Sequence, residues 1–222
     1  MRLRLVLTFL ILTNCLILFG QKIELFGGAS KNIFHDYHKS DAHYNSSYNS
    51  GLGYCAGIGI DSIKIDWLTL RFTLQFDQYK GKLDVSDGGL GGGYTTVANV
   101  DKSILSLGVF PINFRFFHRL DLNFGFELSG LIYESFNGTS SGWIMNQPNW
   151  SYNLQDKYDH YSSKVYFGLQ GRIAYDFNLS KSIWISLQYM YYFGLSNEFV
   201  EFPNETKSMR HYLSIGLKKK FK

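Results

Sequence analysis

The sequence has few of the residues that interrupt strands or cross-link chains. It contains three prolines and two cysteines among 222 residues. Cys15 lies in an N-terminal apolar stretch, so removal of that stretch would leave only Cys55 and exclude an intramolecular disulfide. We interpret Cys55 as a small side chain in a crowded interior. Charge is also nearly balanced, with 22 basic and 18 acidic residues and a net charge of +4, which indicates no nucleic-acid partner.

The sequence also lacks helical periodicity and a long apolar run. Residues 5–19 are mostly apolar, but a membrane-spanning helix needs about 20 such residues. Arg2 and Arg4 precede this stretch and Gly20 follows it, an arrangement typical of a secretory signal. We therefore predict a signal peptide at 1–20 and a single outer-membrane β-barrel domain at 21–222. Asn14 stands where a lipoprotein processing site normally has a small residue, which argues against lipidation at Cys15.

A two-residue period of apolar and polar side chains is the dominant pattern. In 69–77, Leu70, Phe72, Leu74 and Phe76 alternate with polar or charged residues. Similar alternation predicts eight strands, at 22–29, 51–61, 67–80, 103–116, 120–133, 164–177, 183–193 and 209–221. In the fourth strand the apolar phase changes at Pro111, and we predict a β-bulge there because proline cannot donate to the ladder.

The predicted connections alternate between long and short. Segments 30–50, 81–102, 134–163 and 194–208 are long and rich in Gly, Ser, Asn and Tyr, whereas 62–66, 117–119 and 178–182 are short. An up-and-down barrel with both termini on one side has this pattern. The predicted fold class is therefore all-β: an eight-stranded antiparallel up-and-down transmembrane β-barrel with long external loops and short periplasmic turns. Its apolar faces would meet outer-membrane lipid.

These features resemble a known family. The signal ending at Gln21, the stretch 109–116 in the fourth strand and the last strand ending at Phe221 are similar to small outer-membrane barrels of the OmpA and OmpX type, and more narrowly to PorT-like barrel domains of Bacteroidota. The resemblance implies outer-membrane localisation. It also implies that the barrel-assembly machinery reads Phe221 as an assembly signal, although Lys222 follows it. A PorT-like protein would assist protein export to the cell surface.

An eight-stranded barrel is just wide enough to be filled by side chains. We predict an interior polar network that is structural in role, because buried charges are tolerated when they are paired. Its predicted members are Glu24, Arg71, Gln75, Asp77, Arg115, Asp121, Glu127, Gln170, Arg172, Gln188 and Lys218. Such an interior argues against a diffusion pore.

A specific function would then lie in the external loops. The predicted loop 134–163 contains five candidate contact residues, Trp143, Trp150, Tyr152, Tyr158 and Tyr161. Aromatics among small polar residues make adaptable surfaces for an extracellular protein or glycan. The alternative interpretation is an aromatic girdle at the membrane interface.

Three further segments contain residue types that occur in metal, phosphate or catalytic sites. His35, Asp36, His38, Asp41 and His43 have ligand chemistry, but their spacing is unlike a compact metal site and we predict none. The stretch 88–93 is glycine-rich but has no following Lys-Ser/Thr, so we expect a flexible loop tip and no phosphate site or cofactor. His160 and Ser162 resemble the His-x-Ser of lipid A deacylases, yet no Glu occurs in the sixth strand to orient the base.

The sequence leaves three functions open. The first, which we favour, is a non-enzymatic outer-membrane barrel whose loops serve envelope integrity, adhesion or partner binding. The second is a PorT-like accessory of secretion or assembly, and the third is a lipid A-modifying hydrolase. A soluble carrier with the two faces inverted is a further alternative for the fold.

Overall fold

Ten β-strands make up nearly all of the regular structure. The computed structural model describes residues 22–38, 44–65, 68–117, 119–154, 161–200 and 205–221. The strands are β1 (Lys22–His38), β2 (Tyr44–Ser50), β3 (Leu52–Ile65), β4 (Leu68–Gly89), β5 (Gly92–Phe116), β6 (Leu120–Ile144), β7 (Trp150–Asn153), β8 (Val165–Asn178), β9 (Ile183–Gly194) and β10 (Glu205–Lys220). Across these ranges, no helix has the length and apolarity needed to span a membrane. The predicted signal peptide lies outside the described residues.

Eight of these strands close into a ring. Each of β1, β3, β4, β5, β6, β8, β9 and β10 pairs with two neighbours, and β1 completes the ring by pairing antiparallel with β10. The register is continuous at this closure, from Lys22↔Lys220 to Ile33↔Met209. The strands β2 and β7 lie outside the ring and extend the sheet beside β4 and β6. The predicted eight-stranded antiparallel barrel is therefore confirmed.

The strands project much further at one end of the barrel than at the other. We call the end where β1 begins and β10 ends, with the short connections between β5 and β6 and between β8 and β9, the turn end, and the opposite end the extended end. The strands β5 and β6 each contain 25 residues, which at about 3.3 Å per residue is roughly 80 Å. Since the hydrocarbon core of a bilayer is about 30 Å thick, much of these strands must lie beyond it.

Near the turn end, the barrel has apolar side chains outside and polar ones inside. One outward residue from each ring strand is between 43% and 62% exposed: Leu25, Ile58, Leu74, Leu107, Phe126, Phe167, Leu187 and Ile215. The intervening positions are buried and largely polar, as along β8, where Gln170, Arg172 and Asp176 are buried. Such an exposed apolar band around a charged interior is the pattern of a transmembrane barrel. The predicted lipid-facing orientation follows from it.

At the extended end the same strands reverse this pattern. On β4, Leu83 and Val85 are buried on the face that carries Arg71 and Asp77 lower down, while Lys82 and Asp84 are exposed. On β5, Ala98 and Val100 are buried and Asn99 is exposed. Here the inward side chains form an apolar core, and the outward side chains are polar and exposed to water. The reversal marks where the strands leave the membrane.

The predicted bulge at Pro111 is present. The register between β5 and β6 shifts between Val109 and Ile112. Consequently Leu105 and Leu107 face outward before the bulge, and Ile112 and Phe114 face outward after it. A second shift lies between Ser103 and Ile104, where Ile132 of β6 has no partner residue.

Paired strands occupy much of the predicted long external loops. Residues 81–102 form the outer parts of β4 and β5 with a two-residue tip at Leu90 and Gly91, β1 continues to His38, and β6 continues to Ile144. The predicted loops 30–50 and 134–163 also contain β2 and β7. Strand pairing satisfies the backbone groups that an irregular loop would leave to water. The alternation continues in these segments, but with its polarity reversed.

Candidate functional site

The predicted interior residues occupy the barrel interior with one exception. Ten of them are 6% exposed or less: Glu24, Arg71, Gln75, Asp77, Asp121, Glu127, Gln170, Arg172, Gln188 and Lys218. Arg115 differs, because its side chain remains 37% accessible at the turn end. It is a residue of the barrel opening, because it lies next to the end of β5 and pairs with Asp121 at the start of β6.

Several carboxylates surround one lysine at the turn end. The Lys218 ammonium donates to Asp176 Oδ1 at 2.8 Å and to Asp121 Oδ2 at 3.3 Å. Arg115 Nε donates to Asp121 Oδ1 at 2.5 Å from the accessible side. Asp61 Oδ2 lies 3.6 Å from Lys218 Nζ. Asp61, Asp121 and Arg115 border a cavity of 210 Å³ at this opening.

Deeper in the barrel, two arginines share one glutamate. Arg71 pairs with Glu24, with 2.5 Å between Nη2 and Oε2, and also donates to Asp61. Arg172 Nη2 lies 3.1 Å from Glu24 Oε2. Glu24 is on β1 and Arg172 on β8, which are separated by two strands of the ring. Their ion pair therefore reaches across the lumen.

Arg210 forms the next layer toward the extended end. Its Nη2 lies 2.9 Å from Glu127 Oε1 and its Nη1 lies 3.8 Å from Asp77 Oδ2. The guanidinium carbon sits 3.6 Å from the centre of the Tyr192 ring, within the range of a cation–π contact. The Tyr212 hydroxyl donates to Asp77 Oδ2 at 3.3 Å. These contacts connect β4, β6, β9 and β10 through the lumen.

A buried lysine and two carboxylates lie beneath the apolar core of the extended end. Lys102 Nζ donates to Glu198 Oε1 at 2.7 Å and lies 3.8 Å from Glu134 Oε1. It also lies 4.3 Å from the Phe199 ring centre. Burial raises the pKa of Glu198, but the charge and hydrogen bond of Lys102, with the Tyr79 hydroxyl donor, outweigh burial and lower it. Glu198 therefore fastens the connection between β9 and β10 to the barrel.

The prediction missed several members of these layers. Arg210 shares the inward phase of Lys218 within the predicted strand 209–221, and Lys102 continues the inward phase of Ser106 one residue before the predicted strand 103–116. Asp61 and Asp176 also share the inward phase of their strands. Glu198 gives no such signal, because it lies between strands.

The five predicted loop aromatics separate into different environments. Trp143 is 45% exposed. Trp150 stacks on Tyr152 with ring centres 5.3 Å apart and 14° between the planes. Tyr161 is 7% exposed and lies 4.6 Å from the Phe136 ring centre, so its prediction as a contact residue is wrong. Tyr158 lies outside the described residues.

A concave cavity opens at the extended end beside the tip of the β4–β5 hairpin. Its volume is 750 Å³, which lies in the range of small-molecule sites. Asp87, Tyr94, Trp143 and Trp150 contribute to its walls. Partial burial and the charge of Asp87 raise the pKa of Tyr94, so its hydroxyl keeps its proton.

The structure describes parts of the two other candidate sites, the His160 and Ser162 pair and the histidine-rich segment at 35–43. Ser162 is buried, and its hydroxyl donates to Glu134, while His160 lies outside the described residues. In the described part of the chain, no three His, Cys, Asp or Glu residues are grouped to hold a metal ion. Asp41 and His43 lie outside that part.

The structure also places the glycine stretch, Cys55 and Phe221. Residues 88–93 form the tip of the β4–β5 hairpin, as predicted, with Gly88 paired to Gly93 and Gly89 to Gly92. Cys55 is 2% exposed on the inner face. Phe221 follows the end of β10, and Lys219 Nζ lies 5.1 Å from its ring centre.

Known structures include similar small barrels. Neisserial surface protein A is 14% identical over 91% of this chain and 97% of that chain, with a TM-score of 0.41. The attachment invasion locus protein Ail of Yersinia pestis is 11% identical over 90% and 99%, with a TM-score of 0.41. The outer membrane protein OprG of Pseudomonas aeruginosa is 12% identical over 90% and 96%, with a TM-score of 0.39. No protein-family model and no curated protein sequence matches the chain.

Proposed function

We propose that this chain is a non-enzymatic outer-membrane barrel that acts by binding a partner at its extended end, outside the cell. The observation that carries the proposal is the contrast between the two parts of the molecule. The membrane part has a lumen crossed by ion pairs such as Arg172–Glu24 and Arg210–Glu127. The extended end presents a broad sheet and an open cavity.

The filled lumen argues against passive transport. Removing one partner of a buried ion pair costs about 3–5 kcal/mol, so opening a path through several pairs at once is unfavourable. The extended sheet is costly in another way, since each ordered residue loses about 1–2 kcal/mol of backbone entropy. A protein that only sealed or stiffened the membrane would not need strands of 25 residues.

A trimmed barrel tests the proposal. Leu83 and Ala98 are cross-strand partners, so Asn-Gly replacing residues 84–97 keeps the hairpin register and removes the tip. We expect this variant to fold in the outer membrane, shown by heat-modifiable mobility in gel electrophoresis. We also expect it to lose products of cross-linking with a membrane-impermeant reagent that the full-length chain forms on intact cells. A matched control is Leu90→Ala, which changes only an exposed residue of the tip.

A secretion accessory, as the PorT-like resemblance implies, gives a different result. Its cross-linked partners would be components of the export apparatus, and deletion of the protein would change the set of proteins secreted to the cell surface. Equal cross-linking of the trimmed and full-length barrels would contradict partner binding at the extended end.

A further inference from the structure

The cavity at the extended end is crossed by one row of cross-strand neighbours. Asp87 of β4 pairs with Tyr94 of β5, Tyr94 pairs with Gly142 of β6, and Gly142 pairs with Trp150 of β7. Direct cross-strand partners point to the same face of a sheet. A carboxylate, a phenol and an indole therefore share one face, with a residue that has no side chain between the two aromatic residues.

The indole of Trp150 is held in place before any ligand arrives. A Cβ atom at Gly142 would lie 2.4 Å from Trp150 Cζ2, so the ring occupies the space that glycine leaves. The parallel contact with Tyr152 supports the same ring. Tyr152 in turn packs against the buried apolar core of the extended end. A rigid platform of this kind binds with little loss of conformational entropy.

The walls are polar but carry little charge. Amide and hydroxyl groups from residues such as Asn149 and Ser151 surround the two tryptophans. The described lining residues include one carboxylate, that of Asp87, and no Lys, Arg or His. Sulfated or phosphorylated ligands would meet a negative charge without a compensating cation. The chemistry suits a neutral ligand with one flat apolar face and many hydroxyl groups, which describes a sugar.

We propose that this cleft binds a neutral oligosaccharide, with one sugar ring stacked on Trp150 and with sugar hydroxyl groups hydrogen-bonded to Asp87 and Tyr94. The inference rests on the proposed function, because it identifies the class of partner at the extended end. The Asp87 carboxylate accepts hydrogen bonds from sugar hydroxyls, and the Tyr94 hydroxyl both donates and accepts.

Calorimetric titration of the refolded barrel tests this inference. The micelle is formed by a detergent without a sugar headgroup, and the probes are maltohexaose, cellohexaose, laminarihexaose, chitohexaose and a heparin hexasaccharide. We expect saturable binding of at least one neutral hexasaccharide and none of heparin. Trp150→Ala should weaken the affinity at least about tenfold, since stacking and burial of one ring exceed about 1.4 kcal/mol.

Matched variants separate the cleft from the rest of the tip. Asp87→Asn keeps an acceptor and should weaken binding less than Asp87→Ala, whereas Leu90→Ala should leave the affinity unchanged. Titration up to about 10 mM hexasaccharide would detect even a site with a millimolar dissociation constant. The inference is overturned if no neutral hexasaccharide binds up to that concentration or if heparin alone binds. It is also overturned if Trp150→Ala binds the hexasaccharide as tightly as the unaltered chain does. If surface cross-linking still depends on residues 84–97 in those cases, the proposed function stands and only the ligand class fails.

Discussion

Individual charged residues inside the barrel differ in the number of oppositely charged partners that they contact. Among the described residues, Asp77 and Glu127 have Arg210 as their only basic partner. Glu24 and Asp61 contact Arg71, but Glu24 also pairs with Arg172 and Asp61 lies near Lys218. The loss of Arg210 should therefore cost more stability than the loss of Arg71.

We expect Arg210→Leu to lower the free energy of unfolding by about 3–5 kcal/mol, because it leaves two buried carboxylates without a cation. Arg71→Leu should have a smaller effect. Urea unfolding of the barrel in lipid vesicles, followed by heat-modifiable gel mobility, compares them. An equal or larger loss for Arg71→Leu would contradict this account of the network.

Glu198 gives a prediction about pH. Its pKa is lowered in the folded chain because Lys102 and Tyr79 outweigh the effect of burial. A lowered folded pKa stabilises the protein above the ordinary glutamate pKa of about 4.3, and that stabilisation is lost as pH falls through the folded value. Glu198→Gln should therefore destabilise the barrel at pH 7, and the difference should shrink below about pH 4.

The comparison uses unfolding curves of the two proteins between neutral and acidic pH. Glu205→Gln is the matched control, since it makes the same change of charge at an exposed residue at the start of β10. A constant difference between Glu198→Gln and the unaltered chain across this range would mean that the Lys102 pair does not stabilise the fold.

Single residues also show which interior positions can be predicted from the alternation of a strand. Arg210 lies inside the predicted strand 209–221 on the inward phase of Lys218, and Lys102 immediately precedes the predicted strand 103–116 and continues the inward phase of Ser106. Glu198 meets Lys102 across 96 positions of chain, and nothing in local alternation predicts such a pair. Phase along a strand is a local property, whereas a partner across the lumen depends on closure of the whole ring.

At the scale of a strand, one part of β5 faces lipid and the other part faces water. Its outward side carries Leu107 in the lipid-facing band and Asn99 beyond it, and its inward side carries Ser106 and Val100 at the corresponding levels. Alternation predicts a strand at 103–116, whereas the Gly, Ser, Asn and Tyr content of 81–102 favours a loop, although alternation continues there with its polarity reversed.

Arginine substitutions on the outward side of β5 test this change of environment. Leu107→Arg should cost about 2–4 kcal/mol, as a cation near the middle of a bilayer does. Asn99→Arg should change stability by less than about 0.5 kcal/mol, because it remains in water. Both are measured by unfolding from vesicles, and similar costs at the two sites would show that β5 does not cross the membrane boundary between them.

The whole molecule combines two kinds of protein core in one closed sheet. The part near the turn end is stabilised by ion pairs inside and lipid outside, and the extended end by an apolar cluster that includes Leu83, Val100 and Phe136. The closed ring leaves no strand edge in the bilayer, where an unpaired backbone group would be costly. The membrane part and the extended end are therefore stabilised by separate sets of contacts.

The orientation of the band is tested by attaching a fluorophore at single cysteines. In a Cys55→Ser background, Phe126→Cys and Phe167→Cys place the label on the exposed apolar band, and Asn137→Cys places it on the outer face of the extended end. Nitroxide groups on lipid acyl chains should quench the first two labels strongly and the third weakly, because collisional quenching needs contact. A soluble carrier with an apolar interior would give weak quenching at all three positions, and that result would remove the membrane assignment on which the proposed binding role depends.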